Sequence, residues 1–152
     1  MVRLVRTNSE NVDFKNLVKL LDADLAVRDG EDHDFYHQFN KIDALKHVVV
    51  LYEDERPCGC GAIKEMTPVV MEVKRMYTLP ACRGKGFATK ILTELERWAA
   101  GMSYGKCVLE TGKKQPEAIQ LYKRNDYKII PNYGPYIDIE NSVCFEKVLH
   151  KP

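Results

Sequence analysis

From Met71 to Thr89 the chain reads Met-Glu-Val-Lys-Arg-Met-Tyr-Thr-Leu-Pro-Ala-Cys-Arg-Gly-Lys-Gly-Phe-Ala-Thr. A strand pattern runs into a basic, glycine-containing turn, and the turn runs straight into an amphipathic helix. A chain can make an anion site from its own backbone in this way. The first turn of a helix has free N–H groups and a partial positive charge. Glycines let the main chain approach a phosphate with no side chain in between. Arg83 and Lys85 add charge at the rim. The loop is no dinucleotide fingerprint, because Thr89 stands where GxGxxG needs a glycine, and no GxxxxGK[ST] run is present. Taken alone, it fits a plain glycine turn with solvated cations as well as it fits an anion site.

Composition narrows the classes. The 152 residues are 45% hydrophobic and 30% charged, which suits one globular domain over residues 1–152. Lys and Arg total 23 against 22 Asp and Glu, whereas a general nucleic-acid binder carries a strong basic excess. No apolar run reaches the ~18 residues that a membrane span requires, and Met1 to Glu10 is not patterned as a signal peptide. The expectation is a cytoplasmic protein with neither a nucleic-acid nor a membrane partner. Cys58, Cys60, Cys82, Cys107 and Cys144 form no CxxC pair and lack companion ligands at zinc spacing, so they read as reduced thiols, with no metal expected. Cys58 and Cys60, one residue apart in a strand, would share a face.

Hydrophobic period gives the elements. Residues 2–5 read as a strand. Asp13 then caps a helix with Phe14, Leu17, Val18, Leu21 and Leu25 on one face, and a weaker helix is expected over 34–46. Residues 47–52 and 58–65 form a hairpin about the turn at 54–57, and 69–77 is the longest strand. A helix over 87–100 stops at Gly101. A strand (107–111), a helix begun by Pro116, and strands at 127–130 and 143–149 complete the order. Such an order points to an α/β sandwich with a mostly antiparallel first half.

Three motifs in sequence resemble the GNAT superfamily of N-acetyltransferases. Arg83-x-x-Gly86-x-Ala88 resembles its acetyl-CoA loop. Met76-Tyr77-Thr78-Leu79-Pro80 is similar to the end of its fourth strand, and Gln115-Pro-Glu-Ala118-Ile119-Gln-Leu121-Tyr122 to its last helix. Together they cover roughly residues 48–127. Gln115 stands where the family often has asparagine, and Asp126 where it often has glycine; Asp tolerates a left-handed helix stop. The fold implied is α/β (α+β): a mixed, mainly antiparallel twisted sheet of six to seven strands flanked by about four helices.

The resemblance also implies roles. Acetyl-CoA would be the co-substrate. The backbone of Met76, Tyr77 and Thr78 would hold the pantetheine arm and acetyl carbonyl. The amides of Arg83, Gly84, Lys85, Gly86, Phe87, Ala88 and Thr89 would hold the pyrophosphate, with Gln115 a further coenzyme contact. Tyr122 matches the general acid that protonates the leaving thiolate. Glu72 matches one family base and Glu110 another, with Glu72 preferred. Strict alternation puts Glu72 with Lys74 and sends Val73, Arg75 and Tyr77 to the other face, unless a bulge intervenes.

On the acceptor side, Asp22, Asp24, Asp29, Glu31, Asp32 and Asp34 form either a wall that attracts a cationic amine or a solvated loop. Tyr133, Gly134 and Tyr136 would line the same cleft, and His33, His37 and His47 are too scattered to act as ligands. The leading reading is an enzyme that acetylates a small amine or an amino-acid-like acceptor. A protein acetyltransferase acting on lysine or an N-terminus is the alternative, and a non-catalytic acyl-CoA-binding module is a third. A homodimer is left open.

Overall fold

The structure, a computed structural model, describes residues 1–30 and 44–150, apart from the side chain of Asp29. The helix expected over 34–46 therefore falls outside the described residues except for its last three, which are not helical. His33, His37 and the acidic positions 31–34 also lie outside them.

Seven strands form one sheet in the order β1-β2-β3-β4-β5-β7-β6. They are β1 (Val2–Thr7), β2 (His47–Glu53), β3 (Arg56–Thr67), β4 (Val70–Thr78), β5 (Lys106–Gly112), β6 (Lys128–Ile130) and β7 (Ser142–Val148). Every neighbouring pair is antiparallel except β4 with β5. β2 is buried on both faces, which explains its unbroken run of Val48, Val49, Val50 and Leu51.

Among the described residues three α-helices cover the sheet: α1 (Val12–Asp29), α2 (Phe87–Gly101) and α3 (Pro116–Arg124). On one face Phe14, Leu17 and Val18 of α1 pack on Val48, Val50, Cys60 and Ala62. On the other, Ile91, Leu92 and Leu95 of α2 pack on Val49, Leu51, Ile63, Met71 and Val73. Burial of each Val, Leu, Ile, Met and Phe side chain among these stabilises the fold by about 1.5–3 kcal/mol. α2 lies so close that a Cβ on Gly61 would come within 2.9 Å of Leu95 and 3.0 Å of Ile91.

Local chemistry moved several boundaries. Asn11, not Asp13, caps α1, its side chain accepting from the Phe14 amide at 2.9 Å; Asp13 instead accepts from the Tyr52 hydroxyl at 2.6 Å. Gly101 lies within α2, and the left-handed residue beyond it is Ser103 (φ 72°). Asp126 takes the left-handed stop after α3 (φ 70°), and the Tyr127 amide returns to the Tyr122 carbonyl at 3.0 Å.

Two bulges decide which side chains share a face. In β3 the register passes from Leu51↔Gly59 to Tyr52↔Pro57, so Cys58 is an extra residue. Cys58 consequently joins the α2-side cluster, 2.8 Å from Cys82 Sγ, while Cys60 joins the α1 side. The shared face expected for the two cysteines is thereby corrected. In β4 the register passes from Ala62↔Lys74 to Cys60↔Tyr77, three residues opposite two, with Arg75 at φ 60°. This bulge carries Arg75 to the α1 side, where it meets Asp22, and puts Tyr77 in the α1-side cluster. Strict alternation would have sent both away from Glu72.

β4 and β5 part company beyond the bonded pairs Val70↔Lys106, Met71↔Cys107 and Glu72↔Val108. The sheet is wedged open from there, and the wedge is where the site lies.

Candidate active site

The coenzyme side begins at the turn into α2. Gly84 (φ 81°) and Gly86 (φ 77°) both hold left-handed backbone, which glycine adopts without the Cβ penalty. No side chain caps α2, and its first internal bond runs from the Lys90 amide to the Gly86 carbonyl at 3.2 Å. The amides of Phe87, Ala88 and Thr89 therefore stand free of the helix ladder, at its positive end. Both glycines are exposed, and they line a groove of about 290 Å³.

Most of the expected coenzyme residues line that groove. Met76, Tyr77 and Thr78 form one wall, Arg83, Gly84, Gly86, Phe87, Ala88 and Thr89 its end, and Gln115 the α3 side. Arg83 is anchored by donating Nε to the Thr78 carbonyl at 3.0 Å, and its guanidinium lies 5.8 Å from the Tyr77 ring centroid. The Lys85 side chain turns elsewhere: its ammonium pairs with Glu53 at 2.9 Å, and it is not among the lining residues.

A smaller hollow of about 100 Å³ continues from the groove and is lined by Glu72, Glu110 and Tyr122, the three expected catalytic residues. Leu21, Met76, Gln115, Ala118 and Tyr122 line both spaces, so the hollows adjoin, with Tyr122 on the wall they share. Tyr122 comes from the last turns of α3, is 6% exposed, and packs against Tyr127 and Phe145. Burial, then the charge of Glu110, pushes its phenol above the usual tyrosine range. It is a proton donor at neutral pH.

Each carboxylate is held. Glu72 accepts from the Tyr133 hydroxyl at 2.6 Å and from Lys74 Nζ at 3.3 Å. Glu110 accepts from Ser142 Oγ at 2.7 Å. Burial first, and then Glu72, keeps the Tyr133 phenol protonated well beyond its ordinary range. Of the aromatic segment, Tyr136 lines the small hollow, whereas Tyr133 and Gly134 are not among its lining residues. Nor is His47: its ring meets Trp98 edge-on at 4.9 Å, and burial lowers its pKa.

Of the expected acidic wall, Asp22 is an ion-pair partner for Arg75 at 3.0 Å, and Asp24 pairs with Arg28 at 3.1 Å. Arg75 itself was missed. The available signal was a charged doublet, Lys74-Arg75, inside a strand otherwise alternating with apolar residues. Among the described residues no cluster of three or more His, Cys, Asp or Glu could hold a metal, and no helix is long and apolar enough to cross a membrane.

The site thus lies where the sheet is wedged open between two parallel strands, with a bare helix N-terminus beside it. Residues 14–127 match the profile described as Acetyltransferase (GNAT) family. The chain belongs to that family. It is 39% identical over 85 residues to the uncharacterized N-acetyltransferase YjgM of Escherichia coli, covering 54% of this chain and 50% of that protein. To the IAA acetyltransferase of Azospirillum brasilense it is 35% identical over 92 residues, 60% of each. The matched region thus spans half to three fifths of these relatives. Among solved structures, a candidate acyl-CoA N-acyltransferase from Klebsiella pneumoniae superposes with TM-score 0.83 at 28% identity, covering 99% of both chains. The PaiA N-acetyltransferase of Thermoplasma acidophilum, solved with coenzyme A, shares the fold at TM-score 0.71 and 15% identity, covering 97% and 99%.

Proposed function

We propose that this chain transfers an acetyl group from acetyl-CoA directly to the primary amine of a small, amino-acid-like acceptor. The observation that carries the proposal is the wall that the two hollows share at Tyr122. One is lined by the free N-terminus of α2, and the other by Glu72 and Glu110. A diphosphate fits the first because main-chain donors and Arg83 converge there without a competing carboxylate cap. The wedge between β4 and β5 leaves β4 backbone beyond Glu72 for the pantetheine arm. Membership of the family, with relatives named N-acetyltransferase and IAA acetyltransferase, supports the chemistry.

The step balances simply. The acceptor ammonium gives a proton to Glu72, directly or through water, and its freed lone pair attacks the thioester carbonyl. The N–C bond forms, the C–S bond breaks, and the departing thiolate takes the Tyr122 proton; the second N–H proton of the attacking nitrogen, made acidic by the new N–C bond, passes through water to the Tyr122 phenolate, and Glu72 releases its proton to solvent. General acid and base contribute about 10²–10⁴-fold each when well placed. Glu110, held by Ser142, lines the same hollow as an alternative base. A hollow of about 100 Å³ favours a small acceptor over a folded protein surface. The five buried free cysteines suit a reducing compartment such as the cytosol.

Thermal unfolding with acetyl-CoA tests the coenzyme half: at a hundred times its dissociation constant, a ligand stabilises by about 2.7 kcal/mol. Thiol release against an amine panel tests the chemistry. No stabilisation by acetyl-CoA would end the proposal.

A further inference from the structure

Lys74 brings a primary amine of its own into the hollow where the acceptor amine is proposed to react. It lines that hollow with Glu72, Glu110 and Tyr122, and its Nζ lies 3.3 Å from Glu72 Oε1. Both side chains are largely withdrawn from solvent, 14% exposed for Lys74 and 13% for Glu72. A solvated surface pair would carry no such meaning, but this one shares its hollow with the proposed base and acid. The strand accounts for the placement. Residues two apart in a strand share a face, so Lys74 follows Glu72 to the same side. Glu72 is the last β4 residue paired with β5, which puts Lys74 on the stretch that the wedge uncovers. Met76, which lines both the hollow and the coenzyme groove, is two residues further on. That step is about 7 Å along an extended strand and less across a bulge. The flexible four-carbon stem of a lysine spans it.

We infer that Lys74 is itself an acetyl acceptor, modified on Nζ by the acetyl-CoA bound to its own chain; the inference rests on the acetyl transfer proposed above. Its ammonium stands against the base, as the ammonium of a free acceptor must. Glu72 takes one proton from it, and the freed lone pair attacks the thioester carbonyl. The N–C bond forms, the C–S bond breaks, and the thiolate takes the Tyr122 proton. The second N–H proton returns through water to the Tyr122 phenolate, and Glu72 releases its own to solvent. The products are an acetylated Lys74, coenzyme A and one proton. A nucleophile already held in the site gains through proximity, so no added amine is needed. The acetylated side chain has lost the charge that pairs with Glu72, and the reaction ends after a single turnover.

The test incubates the full chain with acetyl-CoA and no amine, following intact mass, thiol release and the modified position by peptide mass spectrometry. The wild type should gain one acetyl group per chain, with a matching burst of one thiol. Lys74 should be modified ahead of the exposed Lys19, Lys90 and Lys123, which uncatalysed acetylation would favour. The rate constant should hold on dilution of the protein. Tyr122→Phe should slow the burst by about 10²–10⁴-fold. Lys74→Arg, which keeps a cation for Glu72, should abolish it. Lys74 found already acetylated in purified wild type, but not in Tyr122→Phe prepared alongside, would support the inference equally. A wild-type chain that acetyl-CoA stabilises but that stays unmodified at Lys74 would overturn it, and that arm needs no variant. So would modification of Lys74 no faster than of the exposed lysines, a rate constant that rises with protein concentration, or an equal rate in Tyr122→Phe. Failure of acetyl-CoA to stabilise the protein is a separate outcome, which removes the transferase reading and this inference with it.

Discussion

Tyr133 donates its phenolic hydrogen to Glu72 across 2.6 Å, joining the segment after β6 to the middle of β4, 61 residues earlier in sequence. The bond fixes one carboxylate oxygen and leaves the other to Lys74. Glu72 is thus oriented from two sides before any substrate arrives. A hydrogen bond to a charged group is worth about 1.5–3 kcal/mol. Tyr133→Phe should therefore lower kcat by about tenfold or more, with KM for acetyl-CoA unchanged. Steady-state kinetics at saturating coenzyme checks this.

Tyr122 should behave differently. Removing its hydroxyl removes the donor to the leaving thiolate and leaves the ring packing on Tyr127 and Phe145 intact. Tyr122→Phe should cost about 10²–10⁴-fold in kcat while acetyl-CoA still stabilises the protein. Because burial and Glu110 raise the phenol, the donor stays protonated through pH 10, and any alkaline fall in rate due to Tyr122 lies above that. A pH–rate profile against the variant shows it.

The same tyrosines tie stability to pH. Tyr122, Tyr127 and Tyr133 are all raised from the ordinary value of 10.0, each by burial first. The unfolded chain releases these protons near pH 10, but the folded chain keeps them. Their contribution is therefore complete below about pH 10 and falls as pH rises beyond it, by about 1.4 kcal/mol per pH unit for each residue. Urea midpoints should drop steeply above about pH 10, and Tyr122→Phe should flatten that drop.

Much of this was legible in the sequence, for identifiable reasons. The apolar run of β2 and the 3.6-residue stripe of α2 are set by burial, so both elements could be read without tertiary knowledge. The turn at Gly84 and Gly86 was legible because left-handed backbone leaves a compositional mark. The bulges left less: at Arg75 the Lys74-Arg75 doublet interrupts the apolar alternation, at Cys58 nothing does, and in both cases the register is imposed by partner strands far away in sequence. The placement of Arg75, the Asp22 pair and the Tyr133–Glu72 bond followed from those long-range choices, and so stayed hidden. The Lys85 side chain shows the same limit: Glu53, at the end of β2, pairs with its ammonium at 2.9 Å, a partner that lies 32 residues away in sequence.

The close approach of α2 to β3 offers a packing test. In Gly61→Ala the new methyl would meet Met76 Sδ at 2.5 Å, along with Leu95 and Ile91. Overpacking of this kind costs about 1–3 kcal/mol. Because Met76 lines the groove, the variant should also weaken acetyl-CoA binding, read by calorimetry on protein held well below its melting temperature.

Backbone amides are the decisive observables, since the diphosphate is proposed to rest on them and not on side chains. Amide nitrogen–hydrogen NMR spectra recorded during titration with coenzyme A report on each one. The largest shifts are expected at Gly84, Gly86, Phe87, Ala88 and Thr89, with a second group at Tyr77 and Thr78. Saturable binding that leaves the start of α2 unmoved, or no binding at all, would contradict the site.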